Sequence, residues 1–522
     1  MSMQIEVELS KQLVLGEMIS RWSRKTPEKE ALVYNGTSCT YRYFNERVNR
    51  LAHGLMGLGI GKGDKVSVIF KNCIEILECY FALMKIGAIA VPQSFRFADR
   101  EYVYQIDHSD SCAVIYGEMF KDLIASIRRQ LSRVRHCICV GAGKTEGVID
   151  YETLIQSGSP KEPLIMVDDD DPAFIMYTAG TTGRPKGAVL THKNQMMLIT
   201  NMSMVIRTKA ERYLLVLPLF HQGAVTRSFH ILYNGGTVVV LDDPKTENIM
   251  AAIHREKIDS TGLAPVLWNW IVNHPQLKEY DLTSLVTATT GTAPMSAELK
   301  SRIFELIPNI SFVEVFGQTE VSGTAVAAVH EDFLRKYGTV GKPTINVEAR
   351  VVDANDKDVP VGEVGEIIYR GPTVMKEYYK NPETTAEAFK GGWFHSGDLV
   401  KQDEEGFIYV VDRKKDMIIS GGENIYPAEV ELVLLNHPKI LETAVIGVPD
   451  PDWGESVMAY IVLKKGQTMT EQEVIDLCKQ ELASFKKPKK VRFVEALPRS
   501  TVGKVLKTVL REMYQQETSY GT

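Results

Sequence analysis

In the middle of the chain, largely apolar, strand-like runs at 237–241 and 311–315 alternate with helical runs at 249–254 and 297–306. Strand–helix alternation predicts an α/β domain with a largely parallel sheet. Nearer the start, 33–41 reads as two short strands flanking Asn35-Gly36, a dipeptide suited to a type I′ turn. A helix over 43–56, a glycine-rich turn at 57–63 and a strand over 65–70 follow. That turn precedes a strand instead of opening a helix and holds no G-x-G-x-x-G, so it is a structural turn and not a dinucleotide site. Ala173-Phe-Ile-Met176 is a further buried strand. After Tyr337 the texture changes: 347–352 and 366–370 are joined by Asp- and Gly-containing turns with no helix, which predicts a small antiparallel β unit. From about 416 comes another pattern, with a helix at 428–435, strands at 443–446 and 457–463, and a helix at 471–482. The expected fold class is therefore α/β. A large N-terminal domain spans 1–414, with α/β subdomains and the small β unit near 338–414. A small α+β C-terminal domain spans 415–522.

Composition narrows the class. At 522 residues the chain exceeds one hydrophobic core, so two or more domains are expected. A net charge of −6 and a pI near 6.1 give no global footprint for nucleic acid. Seven cysteines without a C-x-x-C pair read as reduced thiols, and with no secretory pattern at the N-terminus a cytoplasmic location is expected. No apolar stretch is long enough for a transmembrane segment. The run Asp168–Asp171 and the basic stretch 485–490 read as solvated surface.

Candidate chemistry begins at Tyr177-Thr-Ala-Gly-Thr-Thr-Gly-Arg-Pro-Lys-Gly187. Three glycines let backbone N–H groups converge on an anion without Cβ clashes, and threonine hydroxyls add donors, which suits a polyphosphate. It is not a Walker A loop, because Pro185 stands where that motif needs glycine. Phe316-Gly-Gln-Thr-Glu320 follows an apolar strand, at the strand end where open α/β sheets bind ligands. Phe316 offers a face for a purine, Thr319 a donor for phosphate and Glu320 an oxygen ligand for Mg²⁺. Asp398, followed by Arg413, makes a chemically sensible clamp for ribose hydroxyls.

These strings, in this order, resemble the acyl-adenylate-forming enzymes: acyl-CoA synthetases, peptide-synthetase adenylation domains and firefly luciferase. The resemblance runs from about residue 20 to about 510. It extends to Leu217-Pro-Leu-Phe-His221, Thr290-Gly-Thr-Ala-Pro-Met295, Trp393-Phe-His-Ser-Gly-Asp398, Asp412-Arg-Lys-Lys-Asp416, Ile419-Ser-Gly-Gly-Glu423 and Leu497-Pro-Arg-Ser-Thr-Val-Gly-Lys504. Two departures stand out: Phe316 replaces the usual Tyr, and Thr292 stands where Gly or Ala is common.

The resemblance implies residue roles. Thr178, Gly180, Thr181, Thr182, Gly183 and Lys186 would hold the phosphates. Gly291, Thr292, Ala293, Pro294, Phe316, Gly317, Gln318 and Thr319 would bind the rest of the nucleotide with Asp398 and Arg413. Glu320 and Thr181 would hold Mg²⁺, and Lys504, Thr181, Thr182 and Glu320 would be catalytic. Lys415 would be the hinge of a mobile C-terminal domain, and Gly421, Gly422 and Glu423 the coenzyme A tunnel. The acyl pocket would draw on His221, Gln222, Gly223, Gly262, Leu263, Gly291, Thr292 and Val321.

The implied activity is that of an AMP-forming acyl-CoA ligase using ATP, CoA and a carboxylic acid, as a monomer or homodimer. A medium- or long-chain fatty acid is favoured, with aryl, carnitine-type or dicarboxylic acids next. Arg227 is the one cation considered for a second carboxylate, and on a helix after His221 it is expected to face solvent. A carrier-loading ligase and a luciferase-like oxygenase are the alternatives. A non-catalytic nucleotide-binding protein would be expected to lack Lys504 or Glu320, and both are present.

Overall fold

The computed structural model describes residues 7–9, 11–141, 143, 145–178, 184–206, 211–291, 295, 297–421, 423–499 and 505–519. Two compact units emerge: one comprises 1–349 with 369–394, the other 350–368 with 395–522. Lys415, the expected hinge, lies inside the second.

The first unit holds two large sheets. In the nine-stranded sheet, Glu30–Tyr34, Thr237–Val240, Arg212–Leu215, Ser260–Gly262, Thr287–Gly291 and Ser311–Phe316 run parallel, and antiparallel strands close both edges. Two of its parallel strands, Thr237–Val240 and Ser311–Phe316, are runs read as strands in the sequence. The hairpin forms as expected: Tyr34 pairs with Thr37 across Asn35 and Gly36, at φ +48° and +75°. In the eight-stranded sheet, Pro172–Thr178 runs antiparallel to Lys186–Thr191 and parallel to Ile89–Gln93. The glycine-rich turn leads into Lys65–Ile69 of the same sheet, a structural turn as read.

One face of the nine-stranded sheet packs on an apolar cluster that includes Leu214, Ala288, Phe312 and Trp268. The other face differs. Register places Tyr213 beside Ser260 and Thr287, and Gly262 beside Thr289, so this face is small and polar beneath helix Gln222–Tyr233.

The second unit contains most of a four-stranded sheet ordered Glu348–Val352, Gly365–Arg370, Phe394–Gln402, Ile408–Arg413, and a five-stranded sheet built on the long pair Ile440–Asp450 and Gly454–Leu463. Helices Pro427–Leu435 and Glu471–Glu481 cover one face of the latter through Val430, Leu434 and Val474. Helix Lys507–Ser519 covers the other through Leu510 and Tyr514. All seven cysteines are free thiols. Among the described residues no helix is long and apolar enough to cross a membrane.

Candidate active site

The glycine–threonine loop is bracketed by a strand pair whose last register is Thr178 opposite Lys186. Its flanks are pinned from outside: the Tyr177 hydroxyl lies 2.8 Å from His108 Nδ1, and the Tyr104 hydroxyl donates to the Pro185 carbonyl at 3.2 Å. Between these pins Gly180, Thr181, Thr182 and Gly183 lie outside the described residues. Glu320 meets the bracket. Its carboxylate, in a residue only 7% exposed, accepts from Thr178 Oγ1 at 3.2 Å and from the Tyr378 hydroxyl at 3.0 Å, both at Oε1. Lys186 Nζ sits 5.3 Å from the centre of the Tyr378 ring. Two motifs 142 positions apart thus share one site. Tyr378 was not singled out in the sequence. Its strand Glu377–Tyr378 is two residues long and pairs with Lys186–Thr191, so no periodicity signals it.

Phe316 ends its strand half-buried, and Gly317 follows where a Cβ would stand 2.8 Å from both the Ala325 nitrogen and the Gly323 carbonyl. Only glycine allows that approach, which turns the chain into the short helical turn Thr319–Val321. Gln318 closes this turn by accepting from the Val321 and Gly323 N–H groups, while the Val321 side chain is fully buried. Gly291 is likewise compelled: a Cβ there would lie 2.4 Å from the Val315 carbonyl.

Glu314, also unmarked in the sequence, lies two residues before Phe316 on the same face of the strand. Burial pushes its carboxyl up to about 7, against the pull of Lys300, whose Nζ sits 3.7 Å from the Phe333 ring centre. A carboxyl that holds its proton more tightly when folded loses stability as pH rises from its unfolded value toward the folded one. Glu314→Gln is therefore expected to gain thermal stability over the parent at pH 8 and little at pH 5. Melting curves at the two pH values check this, and an equal difference at both would count against it.

Of the residues expected in the acyl pocket, His221 caps helix Gln222–Tyr233, its Nδ1 accepting from the Gly223 N–H at 3.3 Å. Gln222 is buried and donates to the Ser322 carbonyl at 2.8 Å, which ties this helix to the Glu320 turn. Gly262 lies on the small polar face described above, whereas Leu263 joins the apolar cluster on the opposite face. Thr292, Ala293 and Pro294 lie outside the described residues.

Arg227 corrects an expectation. It does not face solvent but is 5% exposed, with Nη1 2.9 Å from His230 Nδ1, Nη2 donating to Ser260 Oγ at 3.0 Å, and its carbon 5.1 Å from the Tyr213 ring centre. The reason is that helix Gln222–Tyr233 is buried on nearly every side, so its period offers no outward face.

In the second unit, Asp398 and Arg413 are direct cross-strand partners, and Arg413 Nε lies 2.8 Å from the Asp398 carboxylate. Lys415 stands in the turn between strands Ile408–Arg413 and Ile418–Ser420. Gly421, at φ +60°, donates its N–H to the Trp453 carbonyl, and a Cβ there would strike the Trp453 ring at 2.4 Å. Glu423 is exposed in the hairpin opposite Ser420, while Gly422 and Lys504 lie outside the described residues.

Comparison with known proteins gives the class. Residues 19–379 match the family described as AMP-binding enzyme, and 429–504 match the AMP-binding enzyme C-terminal domain. The chain belongs to the AMP-binding enzyme family. It is 36% identical to the long-chain-fatty-acid–CoA ligase FadD13 of Mycobacterium tuberculosis, over 96% of this chain and 98% of that protein. It is also 36% identical to a feruloyl-CoA synthase of Amycolatopsis, over 96% of this chain and 99% of that protein. Among solved structures, an anthranilate CoA ligase, AuaEII, in complex with anthranoyl-AMP superposes with a TM-score of 0.89 at 26% identity, covering 96% of this chain and 97% of that one. Within its family the chain stands with the AMP-forming acid–thiol ligases.

Proposed function

We propose that the chain joins a carboxylic acid to CoA in two steps at the expense of ATP. In the first, a carboxylate oxygen of the acid attacks the α-phosphorus and pyrophosphate leaves. In the second, the CoA sulfur attacks the activated carbonyl carbon, its proton passes to solvent, and AMP departs. The observation that carries this reading is the carboxylate of Glu320, held by Thr178 and Tyr378 at the mouth of the glycine–threonine loop. A pre-oriented carboxylate beside a phosphate loop suits nucleotide activation, because the charge that develops at phosphorus must be met by groups already in place.

The donor set fits a hard cation. Both bonds fall on Glu320 Oε1, and among the described residues no hydrogen bond reaches Oε2. Glu320, with Thr181, would hold Mg²⁺, which neutralises phosphate charge when bound. Phe316 would stack on the base, Asp398 and Arg413 would hold the ribose, and Thr182, Lys186, Thr319 and Lys504 would donate to the phosphates. Lys504 serves the first step and the Gly421–Gly422 segment the second, exchanged by rotation about Lys415. One site hosting two reactions with different group requirements is a physical reason for such a movable domain. A cytoplasmic monomer or homodimer accords with this reading.

The test is AMP and pyrophosphate release over a panel of acids, with and without CoA. CoA-dependent AMP release is expected. Transfer to a phosphopantetheinyl protein in preference to CoA would favour a carrier-loading ligase, and oxygen consumption from a pre-formed adenylate a luciferase-like oxygenase. Silence with every acid would leave a nucleotide-binding protein. The two relatives at 36% identity act on dissimilar acids, so identity does not choose the acid. The expectation of a medium- or long-chain fatty acid rested on room at Gly262 and Gly291 and on the lack of a cation placed for a second carboxylate, and the burial of Arg227 bears on the second of these.

A further inference from the structure

The interior beneath helix Gln222–Tyr233 is built for something other than a hydrocarbon. From this helix Arg227 reaches Ser260 and Tyr213 of the sheet, with Thr287 next to Ser260 in register, and His230, three residues on, bonds to the guanidinium. Several of their polar atoms are left buried without a hydrogen bond: Arg227 Nε, His230 Nε2 and Thr287 Oγ1. His230 accepts from the guanidinium at Nδ1, which puts its own proton on Nε2, so both unmet ring and guanidinium atoms are N–H donors. Asp259, a carboxylate that acts on Arg227 electrostatically, accepts from the backbone N–H groups of Glu211 and Arg212. A guanidinium enclosed in protein with no carboxylate bonded to it is a costly arrangement unless a ligand supplies the anion.

Position says which ligand. Gly223 and Arg227 are one helical turn apart, on the segment that begins at His221. On the sheet, Gly291 ends its strand at the nucleotide side, and Thr287 lies four residues deeper, about 13 Å at the usual strand rise. The polar row is thus the far end of the acyl region, away from the reacting carboxyl. We infer that Arg227 and His230 form a receptor for a second carboxylate, so that the acid activated is an α,ω-dicarboxylic acid of medium length, taken at one end and held at the other. This rests on the ligase reading above and names the substrate class of that site.

The experiment pairs α,ω-dicarboxylic acids of 4 to 12 carbons with monocarboxylic acids of the same lengths, and follows pyrophosphate release by the whole protein with ATP, magnesium and CoA. A site built to bond a polar group rejects an analogue lacking it by orders of magnitude, so the diacids should exceed their partners about 10²-fold or more in kcat/KM. Arg227→Met should abolish that preference, chiefly through KM for the diacid, and Arg227→Lys should retain part of it. Monoacids used as well as diacids by the parent protein would overturn the inference while leaving the ligase reading intact. So would an unchanged ratio in a folded Arg227→Met variant. If that variant does not fold, the parent panel decides. No release with any acid of either kind would overturn this inference, while the ligase reading would still be decided by the wider panel of acids, aryl acids included.

Discussion

Lys504→Ala is expected to lose adenylate formation almost entirely while still converting a pre-formed acyl-adenylate with CoA. The lysine sits in Pro498-Arg-Ser-Thr-Val-Gly-Lys504, and its proposed partner is the α-phosphate under attack, where negative charge gathers in the first step. Removing one such electrostatic contact costs on the order of 10²–10³ in rate. In the second step the phosphate leaves with its charge already formed, so the same amine contributes little. Pyrophosphate exchange reports the first step and single-turnover thioester formation from added adenylate the second. Equal losses in the two would show that Lys504 acts elsewhere. Lys504→Arg, which keeps the charge with different geometry, should recover only part of the exchange rate.

Replacing Lys415 by proline is expected to uncouple the two steps: pyrophosphate exchange continues and thioester production collapses. Proline fixes φ near −65° and removes a donor, so a rotation that needs a backbone change at this residue is blocked. Locally, Asp416 and Met417 both donate to the Arg413 carbonyl, while among the described residues no backbone bond uses the Lys415 N–H. Lys415 has no positive φ, which proline would forbid. It is, however, the third residue of its turn, a place where proline strains the residue before it. Lys415→Ala, which keeps the backbone free, is therefore measured alongside and should support both steps. Matching melting curves establish that the turn survives. Undiminished overall turnover in Lys415→Pro would remove the case for exchange about this residue.

Much of this protein was legible before folding because its signals are local. The strand-like runs at 237–241 and 311–315 became parallel strands, Asn35-Gly36 made its turn, and the predicted helix over 297–306 is the observed Ala297–Leu306. Such features depend on sterics within a few residues, which the sequence carries in full. The turn at Glu320 was also legible, since glycine at Gly317 is dictated by its own backbone neighbourhood. The sequence alone therefore determined the family and the two-step chemistry expected of it. It did not reveal that the Tyr378 hydroxyl holds Glu320, because a two-residue strand has no period and its partner lies 58 positions away. Nor did it reveal the state of Glu314, whose carboxyl is set by burial and by Lys300 on another element. Arg227 was placed on the wrong side of its helix, since a helix buried nearly all round gives no amphipathic cue. Only the tertiary structure decided that this guanidinium is enclosed over Tyr213 and Ser260, because burial and charge pairing are properties of packed neighbours and not of sequence spacing.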